Sequence, residues 1–455
     1  MNIDQRQSLA EGSVGRWMLK LAVPAIIAQI VNMLYNIVDR IYIGHIPVIG
    51  TDALTGVGLF APVLMLLNAF AMLVGAGGAP RAAIAMGKGD EREANRILGN
   101  CFVLLLILAA ALTVLFALFA PQLLYAFGAS ENTFSYALTY MRIYCLGSIS
   151  VLLTMGLNPF VTTQGFAKYS MITVLVGAVA NIILDPILIF GLDMGISGAA
   201  VATVISQTIS AIWVLHFLNG KKTILRLRLR NFVLRPSVFL PCLALGASTF
   251  VMLSTESLVS VSFNTNLVKY GGDLAVGSMT IITSLNQLIV LPVQGICQGG
   301  QPLISYNYGA GRRERVAKSF RLQFFSCILY GFAFWILIQL FPGAIVRIFS
   351  GDADLIAYTV KALRLYMMLI FTFGFQCSCQ QAFLALGKAR VSLMLACLRK
   401  IVLLVPLIFL MPHLLPGDPV WSVFLAEPVS DMIAAIVTTV VFLLSFRKIL
   451  REMKG

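Results

Sequence analysis

Gly75-Ala76-Gly77-Gly78-Ala79-Pro80, followed by Gly87-Lys88-Gly89, returns in the second half of the chain as Gly299-Gly300-Gln301-Pro302 followed by Gly309-Ala310-Gly311. The offset is 222 residues. The same shift carries Phe127 to Phe349, Tyr136 to Tyr358, Arg142 to Arg364, Tyr144 to Tyr366 and Gly165 to Gly387. An offset that persists across so many residues marks two copies of one multi-helix unit. In an apolar chain, such a pair of lobes places a central site between repeats.

The chain is apolar throughout. Hydrophobic residues make up 59% of its 455 positions and charged residues 11%, with a mean hydropathy of +0.90. That is too little charge to cover the surface of a soluble domain, so an all-α integral membrane protein is expected. Segments long enough to span lie at 17–43, 54–80, 97–120, 134–157, 169–191, 194–218, 237–268, 274–305, 319–341, 356–385, 391–411 and 420–446. These twelve divide into two pseudo-symmetric six-helix lobes around a central cleft, 1–218 and 237–455, joined by the basic linker 219–236. An even number of spans per copy inserts both copies in the same sense, about an axis along the membrane normal. Prolines 24, 62, 159, 186, 292 and 406 mark expected bends. No cleavable leader is read at the start.

The net charge of +14 is a topology signal. Lys and Arg crowd alternate span ends: Arg6, Arg16 and Lys20; the loop from Arg81 to Arg96; the linker; the 306–321 loop; and the C-terminus. The opposite ends carry only Lys269 and Arg347. This bias puts both termini and the linker in the cytoplasm, with the chain in the plasma (inner) membrane. Anionic membrane lipids are expected partners for the alternation Arg226, Arg228, Arg230. Nucleic acid is not, since no aromatic-rich soluble module accompanies the charge. The eight cysteines lie in or beside apolar segments and read as packing residues, without disulfide or metal spacing. His45, His216 and His413 are scattered near span ends. No HExxH, GxSxG or phosphate loop occurs, so neither an enzyme nor a metal site is expected.

Ionisable side chains within spans carry the chemistry, because each costs several kcal/mol to leave unpaired there. Asp39 stands beside Arg40, one turn after Tyr35. Asn181 and Asp185 share one helix face at i, i+4, and Pro186 directly after them can loosen the helix. Two carboxylates with amide and phenol neighbours fit either a proton relay or a cradle for a small cation. The repeat supplies an internal control: Asp39 corresponds to Val261, Asn181 to Leu403 and Asp185 to Leu407. The scaffold accepts aliphatics at these places, so the polar residues are not needed merely to build a lobe. Arg142 and Arg364, matched in both copies, read as structural. Glu256 stands alone in the seventh span, opposite Leu34 in the repeat, and fits a contact for a cationic substrate, a site of proton uptake, or a carboxyl satisfied by neighbouring hydroxyls. Arg399 and Lys400 either snorkel or reach a carboxylate across the cleft. Glu427 and Asp431 read chiefly as a water-exposed helix end.

Longer motifs add a resemblance that covers essentially the whole chain. Leu21-Ala22-Val23-Pro24, with Asp39 and Gly44, resembles the opening helix of the multidrug and toxic compound extrusion (MATE) family. Asn158-Pro159, Gln164-Gly165, Asn181 to Gly191 and Gly195 to Thr203 resemble its fifth and sixth helices, closest to the bacterial multidrug-exporter branch. The resemblance implies a secondary antiporter that exports small organic cations by alternating access as a functional monomer. It needs no cofactor beyond a proton or sodium ion as the coupling ion. It also implies an N-lobe ion site at Asp39, Asn181, Asp185 and Thr203, supported by Tyr35 and Asn158, with Glu256, Asp39 and Asp185 as substrate contacts. Acidic residues occur in helices 7 and 10 of some members. Here the span 356–385 has no Asp or Glu, which shifts weight to the N-lobe. A lipid-linked oligosaccharide flippase shares the two-lobed design and is the alternative. It would need several free cations in its cleft for a pyrophosphate.

Overall fold

The computed structural model describes residues 12–47 and 49–453, with Thr51 by its backbone alone. Arg6 and Lys454 of the charge pattern, and the outermost ends of both lobes, lie outside these residues. The first half comprises α1 (Val14–Gly44), α2 (Gly50–Gly87), α3 (Glu91–Ala126), α4 (Glu131–Leu146), α5 (Ser148–Thr163), α6 (Ala167–Pro186) with a π turn Ile187–Gly191, and α7 (Gly195–Asn219). The second comprises α8 (Pro236–Gly309), α9 (Arg313–Leu340), the short α10 (Pro342–Val346), α11 (Ala353–Tyr366), α12 (Thr372–Ala385), α13 (Ala389–Cys397) with a π segment Leu398–Leu404, α14 (Val405–Leu414) and α15 (Pro419–Glu452). Acidic side chains cap several of these where the helix dipole favours them: Asp90 accepts from Glu93 N at 2.9 Å, Asp352 from Asp354 N at 2.9 Å and Asp418 from Val420 N at 3.1 Å.

Among the described residues nine helices are long and apolar enough to cross a membrane, and the pair α4–α5, bent by 57° at Gly147, makes a tenth. The 74-residue α8 would run about 110 Å if straight, far beyond a bilayer core of about 30 Å. It breaks at Gly272, where φ is +61° and ψ −155°, a conformation open to glycine alone. Taking the two arms of α8 as separate crossings and α11 with α12 as one more, the described helices agree with the twelve expected spans. Two of the six prolines adjoin a break: Pro186 directly precedes one π segment and Pro406 closely follows the other. Pro24, Pro62, Pro159 and Pro292 lie within continuous helical stretches. The interruptions fall at Gly147, at Gly272, between Tyr366 and Thr372, and in two π segments. One of those π segments directly follows Asp185-Pro186, as the loosening expected there requires.

The buried apolar residues separate by half. One core contains residues from Trp17 to Cys242 together with Leu303 and Tyr306, and two others contain only residues from Val259 onward. The halves meet through backbone-to-backbone packing at small residues. A methyl group on Gly77 would overlap the Cys242 carbonyl, and one on Gly246 the Leu73 carbonyl. At the repeat-related place, Gly299 packs against Ala22 with room for no Cβ. Lower down, Gly87 packs on Tyr306 and Gly309 on Ile84, each against a main-chain oxygen.

The linker is a strap. The Gln164 side-chain oxygen accepts from Thr223 Oγ1 at 2.7 Å, Ile224 N at 2.7 Å and Leu225 N at 2.9 Å. Asn95 Oδ1 accepts from Arg226 N at 2.7 Å, and Asn100 Oδ1 from Arg235 N at 2.8 Å. Arg226 is spent on this strap, donating to the Lys221 carbonyl at 3.0 Å. Arg228 and Arg230 remain exposed beside Leu229, which is 84% exposed.

Candidate functional site: two polar clusters within the spans

The N-terminal half brings its predicted residues together. α1 supplies Asp39, α6 supplies Asn181 and Asp185, and α7 supplies Thr203, all buried. Asn181 Nδ2 donates to Asp185 Oδ1 at 3.1 Å and reaches Thr203 Oγ1 at 3.5 Å, while the Thr203 hydroxyl donates to the Ala199 carbonyl at 3.0 Å. The Asp39 and Asp185 carboxyls face each other. Beside them is a cavity of about 40 Å³, lined by Tyr35, Asn158, Asn181, Thr203 and Gln207 among others, with room for a few waters. Four buried oxygens here have no hydrogen-bond partner among the described residues: Asp39 Oδ1, Asn158 Oδ1, Asn181 Oδ1 and Asp185 Oδ2. All are acceptors. A buried acceptor set of this kind is completed by a proton shared between carboxyls or by a hard cation that takes oxygen ligands.

Two residues of this cluster escape the sequence reading. Tyr140 is buried beside Asp39 and Thr203, and Gln207 lies next to Tyr35. The repeat does contain their signal: their counterparts at +222 are Ala362 and Val429, the same polar-to-aliphatic change that marks Asp39 and Asp185.

Glu256 is not part of that cluster. It belongs to a second one in the C-terminal half, where Lys400 Nζ donates to Glu256 Oε2 at 2.8 Å. Arg399 Nε donates to Asp431 Oδ1 at 2.8 Å and Nη2 to Glu427 Oε1 at 3.4 Å, with the guanidinium 5.3 Å from the Phe373 ring centre. Glu427 and Asp431 are therefore buried and paired, and the expectation of a water-exposed helix end is corrected. Their partner lies on a different helix, where spacing along α15 gives no hint of it. Arg399 and Lys400, both in the π segment, neither snorkel nor cross the cleft: each pairs with carboxylates of its own half.

Twelve spans in two like-oriented repeats, with buried polar clusters off the repeat pattern, define a multi-pass membrane protein of two-lobed transporter architecture. The chain belongs to the MatE family, whose sequence profile matches it twice, over residues 24–187 and again over 248–410. It is 26% identical over 437 residues to the multidrug export protein MepA of Staphylococcus haemolyticus, covering 95% of each chain. It is 25% identical over 450 residues to MepA of Staphylococcus aureus, covering 96% of each. Among solved structures it superposes on a crystal structure of MATE in the bent conformation with a TM-score of 0.92, at 23% identity and 99% coverage of both chains. It also matches a MOP superfamily transporter from Pyrococcus furiosus with a TM-score of 0.89, at 24% identity and 97% and 98% coverage.

Proposed function

We propose that the protein is an antiporter that exports small organic cations, drugs among them, in exchange for protons or sodium ions by alternating access. The observation that carries this reading is the set of four unpartnered buried oxygens at Asp39, Asn158, Asn181 and Asp185. Asp39 and Asp185 take up the coupling ion, assisted by Asn181 and Thr203, with Tyr35 and Asn158 at the adjoining cavity. Asp39, Asp185 and Glu256 receive the cationic group of the substrate. The coupling ion and the drug favour different arrangements of α1, which is the differential affinity that coupling requires.

The protein works as a monomer in the plasma (inner) membrane, with both termini and the linker in the cytoplasm and lipids as its surroundings. Export of multiple drugs is what the MepA relatives are named for. The flippase alternative loses support because Arg399 and Lys400, two of its deep cations, are already taken by carboxylates. The test is resistance in cells. Asp39→Asn and Asp185→Asn should each abolish drug resistance with expression retained, and full resistance from both variants would overturn the reading.

A further inference from the structure

Counted with every group ionised, the C-terminal cluster holds three carboxylates (Glu256, Glu427, Asp431) and two cations (Arg399, Lys400). Arg399 is engaged with Asp431 and one Glu427 oxygen. The other Glu427 oxygen, Oε2, is buried with no partner among the described residues, in a residue 6% exposed. The Glu256–Lys400 pair is lopsided: the Lys400 side chain is 7% exposed and that of Glu256 is 54% exposed. Lys400 thus approaches Glu256 from the protein side, and the open side of the carboxylate remains available to a ligand. Lys400 is the chain neighbour of Arg399 in the π segment, so the ammonium seated on Glu256 and the guanidinium that holds Glu427 spring from adjacent backbone positions. The ammonium therefore has two carboxylates within its surroundings, one accessible and satisfied, the other buried and unsatisfied.

We propose that Lys400 is a tethered cation, seated on Glu256 when the site is empty and displaced from it by the exported cation. On displacement the ammonium turns to Glu427 Oε2, and the one carboxylate in excess is balanced by the ligand's single positive charge. The flexible four-carbon stem and rotatable donors of lysine suit such a transfer, which a planar guanidinium fixed by two carboxylates does not. The competition sets a floor of selectivity: a neutral molecule cannot release Lys400 from Glu256. Only the identity of the ligand as an organic cation rests on the export reading.

Binding of tetraphenylphosphonium, a permanently charged monocation without hydrogen-bonding groups, to the purified full-length protein in detergent is the test. Lys400→Met should tighten Kd by about fivefold or more, and Glu256→Gln should weaken binding and erase the Lys400→Met gain in the double variant. Glu427→Gln, which removes the receiving carboxylate, should weaken binding, and it decides the matter if Lys400→Met does not fold. An unchanged Kd in folded Lys400→Met, a gain that survives Glu256→Gln, or an unchanged Kd in Glu427→Gln would overturn the proposal. The assay contains no ion gradient, so its failure is distinct from a failure of the antiport reading, which shows as efflux indifferent to imposed gradients or as full export by both Asp39→Asn and Asp185→Asn.

Discussion

Gly87 and Gly309 are the same residue of the two repeats, and each lays its backbone against the other repeat: Gly87 on Tyr306, Gly309 on Ile84. Ile84 and Tyr306 are themselves repeat partners, so the two contacts are images of one another about the pseudo-two-fold axis. They lie beside the basic loops that the charge bias assigns to the cytoplasm. Along α2 the contacts with the other half run from Met65, 3.2 Å from Ser257 Oγ, to Gly87. Further from the basic loops, Gly58 has open space beside it. The arrangement is that of two halves packed backbone to backbone beside the basic loops.

Because these contacts are to main-chain oxygens, no side chain can move aside for an added methyl. Gly87→Val and Gly309→Val should separate α2 from α8, lowering stability by about 1–3 kcal/mol each. Export should fall in both, measured as drug efflux per folded transporter. Gly58→Ala, facing open space, is the control and should leave efflux unchanged.

The repeat also says which polar residues the fold can spare. Asn181→Leu and Asp185→Leu place in α6 the residues that its counterpart carries at Leu403 and Leu407. Made together, the two changes should leave the melting temperature at or above that of the parent, since both partners of the Asn181–Asp185 hydrogen bond go with their two unpartnered oxygens, whereas either change alone strands the other residue's buried polar group. Both variants should lose gradient-coupled efflux. A large loss of stability in the double variant would mean that the cluster is structural.

Arg399 should behave in the opposite way. Arg399→Met leaves Asp431 and Glu427 buried without their cation, a loss of about 3–5 kcal/mol. Restoring neutrality with Arg399→Met, Glu427→Gln and Asp431→Asn together should recover most of the lost thermal stability. Failure of the triple variant to recover would show that the guanidinium contributes more than charge balance.

The strap makes a local prediction. Gln164→Ala removes one oxygen that serves three donors in the linker, at a loss of about 1–3 kcal/mol. Limited proteolysis should then cut near Lys221 and Lys222 faster than in the parent, with the two halves of the protein still folded.

Much of the architecture is legible in the sequence because hydropathy, charge bias and repetition are each spread over many residues. Asp39, Asn181 and Asp185 stand out because the second repeat shows what the scaffold needs without them. Tyr140 and Gln207 carry the same signal but are uncharged, and attention to ionisable groups passes over them. The pairing of Glu427 and Asp431 with Arg399 is invisible in the linear chain, because the three come from α15 and the π segment before α14. Proline marks only some of the breaks: the π segments adjoin Pro186 and Pro406, whereas helix continues through Pro24, Pro62 and Pro292, and α8 breaks at Gly272, where the main chain needs a positive φ. The charged linker looks like a free loop until the amides of Gln164, Asn95 and Asn100 are seen to bind its backbone.

Coupled exchange through Asp39 and Asp185 is read out by efflux of a fluorescent organic cation from vesicles containing the purified protein, under separately imposed pH and sodium gradients. Efflux should be driven by at least one of the two gradients and abolished by Asp39→Asn and Asp185→Asn. Efflux that is indifferent to both gradients, or that persists undiminished in both variants, would contradict coupled exchange through these residues.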